Sequence, residues 1–381
     1  MAWQKPTIKK ALDAPYRADL VGSLLRPAEL KEAHAALAAG TKTPEDVAAI
    51  QKTAIQHIVD EQVRLGFKAV TDGEFSRRYW HLDFLWGLEG IDEIKHATYE
   101  HNFKGDINAA ANVELTGPIS YNPHHPFFKA YTELQSLLPE GVVAKQTIPS
   151  PSLLFRDHRT DGWEKYYDSR EELLDAIATA YGDTINQFYI LGCRYLQIDD
   201  TNWAYLIQNL KDTQNDIAKH SEFVQLAHDA HDVIEEMLAM APHDMVITSH
   251  ICRGNFQSTY LFEGGYEYIA EFLQDLKYDG LFLEYDTERA GGFAPLETLW
   301  NHDQNKRIVL GLITSKFPEL EDESAIRAKI DAASQYVPLE NLALSTQCGF
   351  ASTEEGNKVT EADQWAKLAL VQKIAGDVWS D

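Results

Sequence analysis

Within Ile247-Thr248-Ser249-His250-Ile251-Cys252-Arg253-Gly254, an imidazole and a thiol stand two residues apart. Alternate side chains of an extended chain share a face, so His250 and Cys252 can reach one ion. On its own the pair is equally compatible with a core cysteine beside a loop histidine. Two further segments shift the balance. Leu281-Phe282-Leu283-Glu284-Tyr285-Asp286 places a carboxylate after three apolar residues, an expensive position for an unpaired charge. A third apolar run leads into Ser345-Thr346-Gln347-Cys348-Gly349 and a second thiol. One nitrogen, two sulfurs and one oxygen make a four-donor set, and thiolates with imidazole favour Zn2+ over Mg2+ or Ca2+.

Such donors must be brought together by regular elements. Short apolar or β-branched runs at 17–23, 68–72, 142–148, 195–199, 245–249, 280–285, 307–313 and 342–346 read as strands. Amphipathic stretches at 44–65, 170–191, 221–240, 266–276, 296–302, 323–336 and 361–374 read as helices, with Thr43-Pro44-Glu45 and Thr360-Glu361 as cap signals. Strand and helix in alternation predict an α/β fold, a parallel (β/α)8 TIM barrel, taken as one catalytic domain over residues 1–381. Residues 77–137 exceed any ordinary connection between strands and contain an alternating run at 112–120; a strand pair and lid over the barrel mouth are expected there. Cys252 to Glu284 is 32 residues and Glu284 to Cys348 is 64, against roughly 30 residues per unit of such a barrel. The four donors therefore converge on one mouth from the fifth, sixth and eighth strands.

Other strand ends on that face are polar: Val21-Gly22-Ser23, Asp72-Gly73-Glu74 and Asp199-Asp200. Acids there can hold a ligand amine, or serve only as caps and ion pairs. Cys193, in Leu191-Gly192-Cys193-Arg194, falls at the far end of its unit and reads as buried filler. Three cysteines in 381 residues cannot form a disulfide scaffold, and the start of the chain lacks an apolar secretory core, so a cytoplasmic enzyme is expected. A net charge of -25 spread along the chain argues against a nucleic-acid partner, and no apolar run approaches a membrane span.

The motif His250-Ile251-Cys252-Arg253-Gly254, followed in order by Glu284 and Cys348, resembles the cobalamin-independent methionine synthase family: its C-terminal catalytic barrel and its short single-barrel members. The likeness runs from about residue 17 to 374. Val21-Gly22-Ser23 resembles the family's Ile-Gly-Ser, Gly73-Glu74 its His-Gly-Glu, and Gln197-Ile198-Asp199-Asp200 its Gln-Ile-Asp-Glu. The resemblance implies zinc on His250, Cys252, Glu284 and Cys348, and homocysteine held at Val21, Gly22, Ser23, Glu74 and Asp199. It implies transfer of a methyl group to that thiol, a step of methionine biosynthesis.

Departures concern the methyl donor. The chain has no room for the extra N-terminal barrel of full-length members, Lys316 stands where the family has a histidine acid, and Phe155 is the nearest match to its folate-stacking aromatic. A folate donor needs a general acid for its leaving amine, whereas a corrinoid does not. Folate, a corrinoid protein and small methylated thiol compounds are all retained as donors, with Lys316 as the candidate acid. Two alternatives stand beside this reading: a zinc alkyltransferase acting on a coenzyme M-like thiol, and a barrel that binds zinc or an amino acid without catalysis.

Overall fold

The computed structural model describes residues 10, 12–95, 111–156 and 159–380. Its nine strands are β1 (Ala69–Val70), β2 (Glu89–Lys95), β3 (Ala111–Ser120), β4 (Val143–Pro149), β5 (Tyr195–Asp200), β6 (Val246–Ile251), β7 (Gly280–Glu284), β8 (Arg307–Ile313) and β9 (Leu342–Thr346). Seven form one parallel sheet in the order β1-β4-β5-β6-β7-β8-β9, with helices between them, as the alternation of patterns requires. Side-chain alternation sorts each strand. Leu281 and Leu283 of β7 join the large core under the helices, while Phe282 packs inside the curl with Val21, Val309 and Ala343. Glu284 follows Phe282 by two and so faces inward at the strand end.

The first expected strand, 17–23, does not form. Only Ala18 makes a bridge, to Leu344 of β9. Asp19 N donates to Leu344 O at 3.1 Å, and Leu24 N donates to Gly73 O at 3.1 Å, so the segment bridges the gap between β9 and the end of β1 without a ladder. The second expected strand shrinks to Ala69–Val70 because Asp72-Gly73-Glu74 turns sharply, with φ of 66° at Gly73 and 63° at Glu74. The helix expected at 266–276 is broken into a 3-10 turn, Tyr266–Tyr268, and a single turn, Ala270–Leu273. Helices Pro44–Arg64 and Glu361–Val378 begin with capping boxes of Thr43 with Asp46 and Thr360 with Asp363.

The long connection between β1 and β4 holds the expected strand pair: β2 and β3 are antiparallel, from Glu89 against Ser120 to Lys95 against Ala111. Residues 96–110 of the expected lid lie outside the described residues, as do residues 1–9 and 11 of the segment read for a leader. The pair docks on the flank of the barrel, where Ile119 N donates to Tyr167 Oη at 2.6 Å. What this connection sends to the mouth is the turn carrying Trp80, whose N–H donates to Ser352 O at 3.0 Å. Among the described residues no helix is long and apolar enough to cross a membrane.

Candidate metal centre and the acids beside it

β6 runs two residues past its expected end, so His250 lies within the ladder and Cys252 just beyond it. Glu284 is the last residue of β7, and Cys348 follows β9 by two. Their donor atoms all lie within 4.8 Å of one another, and all four residues are buried. The sulfurs of Cys252 and Cys348 are 3.8 Å apart, and His250 Nε2 is 3.6 Å from Glu284 Oε1. A tetrahedral ion at ordinary bond lengths requires about 3.8 Å between two sulfurs and about 3.3 Å between nitrogen and oxygen. The four side chains fit a single ion.

Neighbouring groups fix the donors. His250 Nδ1 is hydrogen-bonded to Asp199 Oδ1 at 3.0 Å, which aims Nε2 at the cluster. Arg253 N donates to Glu284 Oε1 at 3.1 Å and Arg289 Nη2 to Oε2 at 3.3 Å. Burial raises the Glu284 pKa, but the hydrogen bond to His250 and the charges of Lys316, His250 and Arg289 outweigh it and hold the carboxyl at about 2. Burial likewise opposes charge on His250, yet hydrogen bonds to Asp199 and Glu284 carry its pKa well above the usual imidazole value. The hydrogen bond from Cys252 holds the Cys348 thiol below its ordinary value, and Cys252 is raised in return. The arrangement favours a cation and anionic sulfur at one point.

Across the same mouth, Glu74 enters from the turn after β1. Its Oε1 accepts from Thr147 Oγ1 at 2.8 Å and pairs with Arg77 Nη1 at 3.2 Å. Burial raises its pKa above the ordinary carboxylate value; Arg77 opposes this and Asp199 adds to it. A cavity with about 300 Å3 of empty space separates the two sides, lined by Val21, Ser23, Glu74, Trp80, Asp199, His250, Cys252, Cys348, Gly349 and Ser352. Gly22, the middle of the expected trio, lies under it: a Cβ there would come within 3.1 Å of Glu74 Oε1.

Of the expected site residues, the metal set and the group Val21, Gly22, Ser23, Glu74 and Asp199 are thus brought together. Lys316 lies near enough for its charge to act on Glu284, yet outside the cavity. Its ammonium is buried, 3.9 Å from Asp286 Oδ2, makes no hydrogen bond among the described residues, and does not line the cavity. Asp200 is a cap, with Oδ1 accepting from Asn202 N at 2.6 Å and Trp203 N at 3.2 Å. Cys193 is buried, its pKa pushed up to about 12 by burial. Phe155 packs against the core with Arg170 over its ring. Trp80, Arg77 and Arg289 were not expected. Arg77 and Arg289 stand three and five residues after the acids they hold, a local spacing that could have marked them; Trp80 carries no such signal.

A parallel barrel with an imidazole, thiolate and carboxylate set at its mouth defines a class of metal-site barrel, and comparison with known proteins gives the family. The description "Cobalamin-independent synthase, Catalytic domain" matches residues 156–370. Two uncharacterized proteins of Bacillus subtilis (strain 168), YxjG and YxjH, are each 44% identical, over 96% and 97% of this chain and 95% and 97% of theirs. A provisionally assigned vitamin-B12-independent methionine synthase of Listeria monocytogenes shares 38% identity and a TM-score of 0.74, covering 97% of this chain and 99% of that one. A B12-independent methionine synthase of Shewanella sp. W3-18-1, solved with selenomethionine, has the same fold at 18% identity, with a TM-score of 0.68 over 96% of this chain and 98% of its own. The chain belongs to the cobalamin-independent methionine synthase family and carries the catalytic domain of this methyltransferase family.

Proposed function

We propose that this protein is a zinc-dependent homocysteine S-methyltransferase that forms methionine, with the whole chain acting as one catalytic unit in the cytoplasm. The observation that carries the reading is the juxtaposition of the four-donor cluster with a buried acid pair, Glu74 and Asp199, around one cavity. His250, Cys252, Glu284 and Cys348 would hold zinc, whose chemistry is to keep a bound alkyl thiol deprotonated at neutral pH. Glu74 and Asp199 hold the ammonium group of the amino acid, since a buried amine needs opposite charge beside it. The main chain of Val21, Gly22 and Ser23 faces its carboxylate. Asp199 serves both sides, because its Oδ1 bonds His250 and accepts from Gln197 Nε2 at 2.8 Å, which leaves Oδ2 for the ammonium group. In the transfer a carbon–sulfur bond forms to the methyl group, and the donor keeps the electron pair of the bond that breaks.

The donor is the less defined partner. A folate leaves as an amine that must gain a proton. Lys316 is the nearest candidate acid, but its position outside the cavity lining favours donors that need no acid, a methyl-corrinoid, carried by a corrinoid protein, or a methylated thiol compound. We place the donor's entry under the part of the 77–137 connection that reaches the mouth, the turn carrying Trp80. The test is metal analysis followed by parallel assays of homocysteine with methyl-folate, methyl-corrinoid and S-methylmethionine. One zinc per chain and methionine from at least one of the last two are expected. Zinc-loaded protein that makes no methionine from any donor, yet alkylates a coenzyme M-like thiol, overturns the reading. Rapid folate turnover abolished by Lys316→Ala would make Lys316 the acid and reverse the choice of donor.

A further inference from the structure

The stretch 20–23 sits where a barrel strand belongs, yet it is held in an unusual way. Three of its four carbonyls are gripped by side chains: Lys145 Nζ donates to Leu20 O, Gln197 Nε2 to Val21 O at 2.6 Å, and Thr71 Oγ1 to Gly22 O at 2.7 Å, while Ser23 O accepts from Phe350 N at 2.9 Å. Its N–H groups are treated differently. Among the described residues, none of the N–H groups of Val21, Gly22 and Ser23 donates a hydrogen bond, although Val21 and Ser23 are each only 5% exposed. A ladder strand satisfies donors and acceptors alike, and a buried N–H left without a partner is costly unless a ligand supplies one.

The strongest of the three grips is a buried ion pair. Lys145 projects inward from β4, with Nζ 2.9 Å from Asp19 Oδ1, and both side chains are fully buried. Tyr195 Oη donates to Asp19 Oδ2 at 2.7 Å and Tyr16 N to the same oxygen at 2.9 Å. The rings of Tyr195 and Phe282 flank the ammonium at 4.8 and 4.2 Å. Apolar residues of the same volume would stabilise a barrel interior as well or better, so such a pair calls for a role in orientation.

We infer that Lys145, anchored by Asp19 and assisted by Gln197 and Thr71, is a positioning residue that turns residues 20–23 so that the N–H groups of Val21, Gly22 and Ser23 face the cavity and receive the carboxylate of the amino-acid substrate, the Leu20 N–H being taken by Asp19 Oδ1 at 2.7 Å. The inference rests on the homocysteine reading above and deepens it. Successive N–H groups form a concavity for an anion, and the acids Glu74 and Asp199 take the opposite end of the same zwitterion. Lys145 touches no substrate; it acts through the main chain.

The experiment compares two thiols on zinc-loaded protein by calorimetry: homocysteine and 3-aminopropane-1-thiol, which is homocysteine without its carboxylate. The native protein should prefer homocysteine by about 30-fold, the worth of hydrogen bonds to a charged group. In the double variant Lys145→Met with Asp19→Asn, which removes both charges together, the preference should fall to within about 3-fold, while zinc content and affinity for the aminothiol stay native. Tyr195→Phe leaves the Lys145 grip on Leu20 O and should keep the native preference. Equal weakening of both thiols in the double variant, or an unchanged preference, overturns the inference. So does collapse of the preference in Tyr195→Phe, which would signal general loosening. If the double variant does not take up zinc, Thr71→Val carries the test on Gly22 O, where a several-fold loss of preference is expected and none overturns the inference. A native protein that does not distinguish the two thiols refutes the homocysteine reading itself.

Discussion

The two sides of the barrel mouth are built by opposite means. On one side His250, Glu284 and Cys348 hang from or just beyond β6, β7 and β9, strands tied to their neighbours by main-chain ladders, with a register shift between Gly311 and Ile313 where β8 meets β9. On the other side Val21 and Ser23 sit in a stretch that pairs with the sheet at Ala18 alone, and Glu74 sits in a turn with positive φ. A four-coordinate ion tolerates little error in distance, and main-chain ladders supply that rigidity. The amino acid of the proposed reaction instead needs open donors and a reachable acid, which a fully zipped strand would deny it. Rigidity and receptivity are thus assigned to different arcs of one ring. The acids follow suit, Glu284 being held at about 2 by its neighbours while burial raises Glu74.

The contrast can be broken most severely on the rigid arc. Cys348→Ser should weaken zinc by about 1,000-fold or more, because it removes one of the four ligands over which the metal binding energy is shared. Cys193→Ser should retain native zinc, so equal retention in both variants, measured by metal analysis after dialysis, would sink the ligand assignment. Next comes acid sensitivity of the metal-free protein. Glu284 is held at about 2 against an ordinary 4.5, so it stabilises the fold above pH 4.5 by about 3 kcal/mol and loses that contribution as pH falls toward 2. Urea unfolding at stepped pH should show a gap between native protein and Glu284→Gln that is constant between pH 4.5 and 6.5, where His250 is charged in both the folded and the unfolded chain, and closes below pH 4.5. A gap that widens on acidification contradicts the sign. The receptive arc is probed by Glu74→Gln, which should weaken homocysteine by about 30-fold and zinc by less than about 2-fold. Unchanged homocysteine affinity in a titration would remove Glu74 from the site.

How much of this was legible follows from the same contrast. The ladder side is written in local signals, a His-x-Cys pair, an acid after three apolar residues and spacings near one and two barrel units, because alternation fixes which way each side chain points. The receptive side is only half written. Val21-Gly22-Ser23 and Glu74 stand out as polar strand ends, but 17–23 has the composition of a strand, and nothing local reveals that Lys145, Gln197 and Thr71 will take over its carbonyls. Those partners lie 49 to 176 residues away in the chain, so only the closed fold brings them together. Trp80 is unreadable for a related reason. It reaches the cavity because a bridge from Tyr79 to Thr353 draws its turn over the mouth.

Where the two arcs meet, Gly349 follows the ligand Cys348 and lies so close to Ser23 that an added Cβ would stand 2.0 Å from Ser23 Oγ and 2.9 Å from Ser23 N. A hydrogen atom in place of a side chain therefore sets the span between the four-donor cluster and the main chain of Ser23. Under the proposed function that span is a ruler for the substrate. Cysteine, one methylene shorter than homocysteine, is then expected to bind more weakly, and any larger residue at 349 to push Ser23 away.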